Sequence, residues 1–166
     1  VSSAEAIQLG MVPEGGLFVP EEIPVFSEKE IKNMKNKSYQ EIALMVLERF
    51  LTDFESDNLK EMIDTAYNRE NFEEEGVTPL VKLKPGFNIL ELWHGPTAAF
   101  KDIALQLMPR LLTRALEIQE VEEDIVILVA TSGDTGTAAL EGFKNIEGVD
   151  IIVFYPEEGV SKIQEK

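Results

Sequence analysis

The sequence predicts an α/β protein, and three stretches carry that prediction. Ile125-Val126-Ile127-Leu128-Val129-Ala130 is an unbroken apolar run rich in β-branched residues, the composition of a strand covered on both faces in a parallel sheet. Thr131-Ser132-Gly133-Asp134-Thr135-Gly136 then turns the chain into a helix of about ten residues. Beyond Gly148, Val149 to Phe154 repeats the apolar strand pattern. Strand, glycine loop, helix and strand make a βαβ unit, which requires parallel strands.

The residues before this unit read as helical at first. Ser2 with Glu5, Ser27 with Glu30 and Ser38 with Glu41 each fit the Ser-x-x-Glu capping box, in which side chain and backbone satisfy each other's orphan donors. Ser56 reads as a plainer N-cap before Leu59, Met62, Ile63, Ala66 and Tyr67. The first helix stops at Gly10. Gly15-Gly16 reads as a turn into a short extended piece, because no helix N-terminus follows it to hold a phosphate. The polar, acidic stretch Asn71 to Glu75 marks a boundary, giving a helical region over 1–75 and an α/β region over 76–166. Thr78 to Leu83 alternates like an edge strand, Pro85-Gly86 turns, and Phe87 to Leu92 is a second strand.

A helix is expected next, with Pro96 in its first turn and Pro109 interrupting it. Lys101, Leu105, Met108, Leu112 and Ala115 form one helical stripe, apolar except at its first member. A lysine there either snorkels out with its stem on apolar neighbours or sits desolvated in a pocket. Desolvation disfavours the ammonium form, which suits an amine nucleophile. Both readings stand on periodicity alone. His94 has an ordinary role as a strand-end residue, and Gly95-Pro96 would hold it near Lys101.

Composition removes several functional classes. With 31 acidic against 15 basic residues the net charge is -16, which argues against a nucleic-acid or anionic-membrane partner. The absence of cysteine removes thiolate nucleophiles, disulfides and cysteine-ligated metal. A single histidine leaves no histidine-rich metal site, and none is expected. No apolar run approaches the roughly 18 residues of a spanning helix, and no signal-peptide pattern opens the chain. A cytoplasmic protein is expected.

The loop Thr131 to Gly136 lies at the carboxyl end of a strand and at a helix N-terminus, where backbone amides and the helix dipole favour an anion such as a carboxylate or phosphate. Thr131, Ser132 and Thr135 offer hydroxyls, and Gly133 and Gly136 permit close approach. Asp134 or Ser132 acting only as a helix cap explains the same residues equally well. The loop is neither GxGxxG nor GxxxxGK-[ST], so neither a dinucleotide site nor a P-loop is supported, and it lacks a nucleophile elbow.

His94-Gly95-Pro96-Thr97-Ala98-Ala99-Phe100-Lys101-Asp102, followed by Ala130-Thr131-Ser132-Gly133-Asp134-Thr135-Gly136, closely resembles the threonine synthase family. Gly15 to Pro20 resembles that family's N-terminal segment, and Tyr155 to Ser161 its stretch after the next strand. The resemblance covers nearly the whole chain, and the combination of its two central motifs is specific. It implies a fold-type-II pyridoxal-phosphate architecture, of which residues 76–166 would be the first part. It also implies conversion of O-phosphohomoserine and water to threonine and phosphate.

Lys101 would then bind the cofactor covalently and serve as base and acid once its amine is freed. Phe100 and Asp134 would lie at the cofactor, with Phe100 and Asp102 positioning the lysine. Thr131, Ser132, Gly133 and Thr135 would bind the substrate, the loop receiving its carboxylate. Related families often have Asn where Asp134 stands, and a carboxylate beside a carboxylate needs a proton or donor between them.

The family's cofactor-phosphate loop and the hydroxyl residue at its pyridine nitrogen would lie beyond Lys166. The 166 residues alone are therefore expected to be inactive and to bind the cofactor weakly. They are also expected to self-associate or be partly disordered near the C-terminus, through uncovered sheet edges. Two other readings compete: a non-catalytic module that binds small anions or a partner, and another fold-type-II lyase such as a dehydratase.

Overall fold

The computed structural model describes residues 1–157 and 159–162. Four helices come first: α1 Ser3–Leu9, α2 Glu28–Met34, α3 Tyr39–Phe50 and α4 Ser56–Ala66. Ser27 and Ser38 close complete capping boxes with Glu30 and Glu41. Ser2 accepts from the Glu5 amide. Ser56 does not cap: the N-cap of α4 is Glu55, and the Ser56 hydroxyl donates instead to the Glu48 carboxylate on α3. Gly10 ends α1 at φ 70°, and Gly15 and Gly16, at φ 95° and 110°, form the expected turn.

An antiparallel hairpin follows, β1 Leu80–Lys84 with β2 Phe87–Leu90, turned at Gly86 with φ 77°. After a coiled stretch come α5 Asp102–Leu105 and α6 Met108–Ile118. They are separate helices, with Pro109 in the first turn of α6, where its missing N–H costs no hydrogen bond. Pro96 lies outside α5, contrary to the sequence expectation. Ala98 stands between them at φ 56°, a left-handed conformation that no continuous right-handed helix accommodates.

The βαβ unit has the expected limits: β3 Ile125–Ala130, α7 Asp134–Phe143 and β4 Val149–Phe154, with β3 and β4 parallel and in register from Ile125↔Val149 to Ala130↔Phe154. The strands are not covered on both faces. Ile125, Ile127 and Ile151 pack inward beside Phe143, whereas Val126, Leu128, Ile152 and Phe154 are exposed. Helices cover one face, and among the described residues nothing covers the other, so the alternate residues of a two-sided strand face outward.

Two hydrophobic clusters meet on α6. Leu107, Leu111 and Ala115 join Leu59, Ile63, Tyr67 and Phe72, while Leu112 and Leu116 join Phe143 and Val149. An amphipathic helix buries one stripe; α6 buries two adjoining ones and thereby ties the helices to the sheet. No described helix is long and apolar enough to cross a membrane. The C-terminal disorder expected from the sequence falls on residues 163–166, which lie outside the described residues.

Candidate active site

The stretch from Glu91 to Lys101 is held without regular structure. Its backbone is tied at both ends of β2's extension, the Glu91 amide donating to Pro79 O at 3.0 Å and the Glu73 amide to His94 O at 3.0 Å. His94 is engaged locally: its Nε2 lies 2.7 Å from Glu91 Oε2, and both side chains are mostly buried.

Asp102 is the knot of this segment. It is 0% exposed and accepts from the Thr97 amide at 2.9 Å and the Thr97 hydroxyl at 2.7 Å. A buried carboxylate is tolerated when its lone pairs are satisfied in this way. Gly95 makes the knot possible, since a Cβ there would stand 2.5 Å from Asp102 Cβ. The consequence is a fixed turn from Gly95 to Lys101.

Lys101 itself is the N-cap position of α5 and is half-buried. Its Nζ lies 4.5 Å from the centroid of the Phe100 ring, whose quadrupole attracts the cation. Both residues line an open, almost wholly apolar hollow of about 450 Å³ with Leu92, Ile103, Ala104 and Leu105. Its side chain therefore lies among apolar neighbours.

The second motif is built at the end of β3. The Thr131 amide donates to Phe154 O at 3.0 Å and extends the parallel ladder by one bond. The Gly133 amide then donates to Thr131 Oγ1 at 3.2 Å, so this hydroxyl shapes the loop. Gly133 is the N-cap of α7. Gly136 is buried, and a Cβ there would meet Thr131 Cγ2 at 2.4 Å and Val153 Cγ1 at 3.0 Å, so the first turn of α7 lies directly on the strands. Ser132, Asp134 and Thr135 are exposed at that end.

The two motifs approach through their helices. Gly142 of α7 faces Leu105 of α5 so closely that a Cβ would stand 2.1 Å from the Leu105 carbonyl oxygen. Among the described residues, none of Thr131 to Gly136 lines the hollow beside Lys101. Sequence reading missed two structural residues here. An isolated glycine within an apolar helix was the available signal for Gly142. For Tyr67 there was none: it reads as one more apolar position of α4, yet its hydroxyl donates to Ile103 O at 2.7 Å. Burial pushes its phenol above the ordinary value, so it acts as a protonated donor. Replacing Tyr67 with Phe is expected to cost about 1–2 kcal/mol, the penalty for a buried carbonyl losing its donor. Chemical denaturation should read this as a lowered midpoint at unchanged slope.

The residues present fit a carbonyl-bearing cofactor and an anionic substrate. Lys101 lines an apolar hollow, and the exposed Ser132 and Thr135 hydroxyls stand at the N-terminal end of α7, at the end of a strand. The chain is also similar to known proteins. The family description "Threonine synthase N terminus" matches residues 1–67. The threonine synthase of Schizosaccharomyces pombe is 40% identical over 99% of this chain, which spans 33% of that protein. Threonine synthase-like 2 of Mus musculus is 41% identical over 96% of the chain and 33% of its own length. The crystal structure of a PLP-bound threonine synthase from Brucella melitensis superposes with a TM-score of 0.92 at 37% identity, over 99% of this chain and 35% of that one.

The chain therefore has the fold of the fold-type-II pyridoxal-phosphate enzymes. It is similar over nearly its whole length to part of the threonine synthases, and it spans about a third of the length of the relatives it matches.

Proposed function

We propose that the complete protein carrying this chain is a cytoplasmic threonine synthase, forming L-threonine and phosphate from O-phospho-L-homoserine and water. Residues 1–75 would be a helical N-terminal region and 76–166 part of the catalytic domain. The observation that carries the reading is the whole-chain likeness at 37% identity to a PLP-bound threonine synthase, with Lys101 at the head of α5.

Pyridoxal phosphate, when bound, supplies an electron sink for carbanion chemistry next to an amino group. The remaining roles fall to this chain. Lys101 Nζ binds the cofactor carbonyl and, when free, takes and returns the protons that move along the substrate's carbon chain. Phe100 shields one side of that amine and walls the cofactor pocket. Asp102, through Thr97, holds the turn that presents the lysine. Ser132, Gly133 and Thr135, on the loop that Thr131 shapes, receive the substrate carboxylate at the positive end of α7. Asp134, on the same loop, would lie at the cofactor. The exposed outer face of β3 and β4 supports self-association of these 166 residues when separated from further chain.

The complete protein, supplied with pyridoxal phosphate and O-phosphohomoserine, should release threonine and phosphate in equal amounts. Ammonia and a 2-oxo acid in place of threonine would establish a dehydratase-type lyase, and no turnover would favour a non-catalytic anion-binding module.

A further inference from the structure

A second cleft, of about 370 Å³, lies between α4, α6 and the residues after α7. It is lined by Arg110, Arg114, Glu61, Glu117, Asn145 and Glu147, among others, and shares no residue with the hollow beside Lys101. In a chain with twice as many acids as bases, its two arginines are only partly engaged. Arg110 donates to Gln106 O and, among the described residues, forms no ion pair. Burial alone pushes its guanidinium below the ordinary value. Arg114 pairs with Glu117 at 2.7 Å through one terminal nitrogen, while its Nε is shielded from solvent without any hydrogen-bond partner. A buried N–H left without an acceptor costs free energy, and each arginine offers five donors in a fork that suits a carboxylate.

The spacing of Arg110 and Arg114, four residues apart on α6, sets both on one helix face. Thr113 does not compete as a donor, since its hydroxyl is spent on Pro109 O at 3.0 Å. The same cleft is also lined by Glu61 from α4 and by the exposed Glu147. Three carboxylates around two guanidiniums disfavour a dianion such as phosphate. They favour a molecule that carries one carboxylate and one ammonium.

We propose that this cleft is a second binding site, for a free α-amino acid, with its carboxylate on Arg110 and Arg114 and its ammonium facing Glu61 and Glu147. The site stands apart from the catalytic reading and does not depend on it.

Calorimetric titration of the complete protein with glycine tests the site. Saturable binding is expected, weakened about tenfold or more in R110Q and in R114Q, the loss of a charge-assisted hydrogen bond. It should persist in K101A. E147Q, an exposed change that leaves the fold intact, should weaken glycine binding while leaving acetate binding equal or stronger. Circular dichroism identifies any arginine variant that fails to fold, in which case E147Q and the other arginine variant decide. Absence of saturable binding, or binding unaltered by all three substitutions, would overturn the site. Loss in K101A with retention in R114Q would assign the glycine to the Lys101 hollow. Acetate or inorganic phosphate binding as tightly as glycine would overturn the choice of a zwitterion.

Discussion

Replacing Lys101 with Ala in the complete protein is expected to abolish turnover. Losing a positioned acid–base group costs roughly 10²–10⁴-fold, and here the same amine would also be the covalent attachment point. The fold should survive the change. Lys101 is half-buried, forms no ion pair among the described residues, and holds α5 through its carbonyl, which accepts from the Ala104 amide at 3.1 Å and the Leu105 amide at 2.9 Å. An alanine keeps both bonds. Phosphate release followed continuously, beside a far-ultraviolet circular dichroism spectrum, separates lost chemistry from lost structure. Substantial activity in a folded K101A protein would remove this lysine from the reaction.

The second large effect is expected at Gly142. An alanine Cβ there would stand 2.1 Å from the Leu105 carbonyl oxygen and 2.9 Å from its carbonyl carbon. Both are backbone atoms, so no flexible side chain can yield, and α5 and α7 must move apart. Overpacking of this kind costs about 1–3 kcal/mol. It acts on a backbone-close contact between the lysine's helix and the helix that begins after Gly133, so activity should fall along with stability. Gly76 is the matched control: its φ is not in the left-handed region and a Cβ would meet nothing within 4 Å. Gly76→Ala should therefore stay within about 0.5 kcal/mol of the parent. Equal midpoints for the two variants in urea would show that the α5–α7 seat is softer than its geometry implies.

Local signals were legible in the sequence wherever one segment settles its own structure. The limits of β3, α7 and β4 follow from an apolar run, a glycine loop and a second run, because those patterns act over a few residues. The break before α6 follows from Pro109 for the same reason. Long-range competition was not legible. Ser56 looks like a cap, but Glu48 on another helix takes its hydroxyl. Pro96 looks like a helix start, but Asp102 reaches back to Thr97 and holds a turn in its place. The apolar run of β3 predicts cover on both faces, yet such a run records only what each strand is suited to bury. How many layers these residues themselves supply is a separate matter. The lysine and the Thr131–Gly136 loop were both recognisable as motifs. Their connection through Gly142 and Leu105 was not, since nothing local marks which carbonyl a helical glycine will meet.

The most direct measurement is chemical mapping of the lysine proposed to hold the cofactor. The complete protein, incubated with pyridoxal phosphate, reduced with borohydride and digested, should yield one stoichiometrically pyridoxylated peptide, modified at Lys101. Modification at a different lysine, or scattered substoichiometric labelling with Lys101 untouched, would contradict the assignment of this residue as the centre of the site.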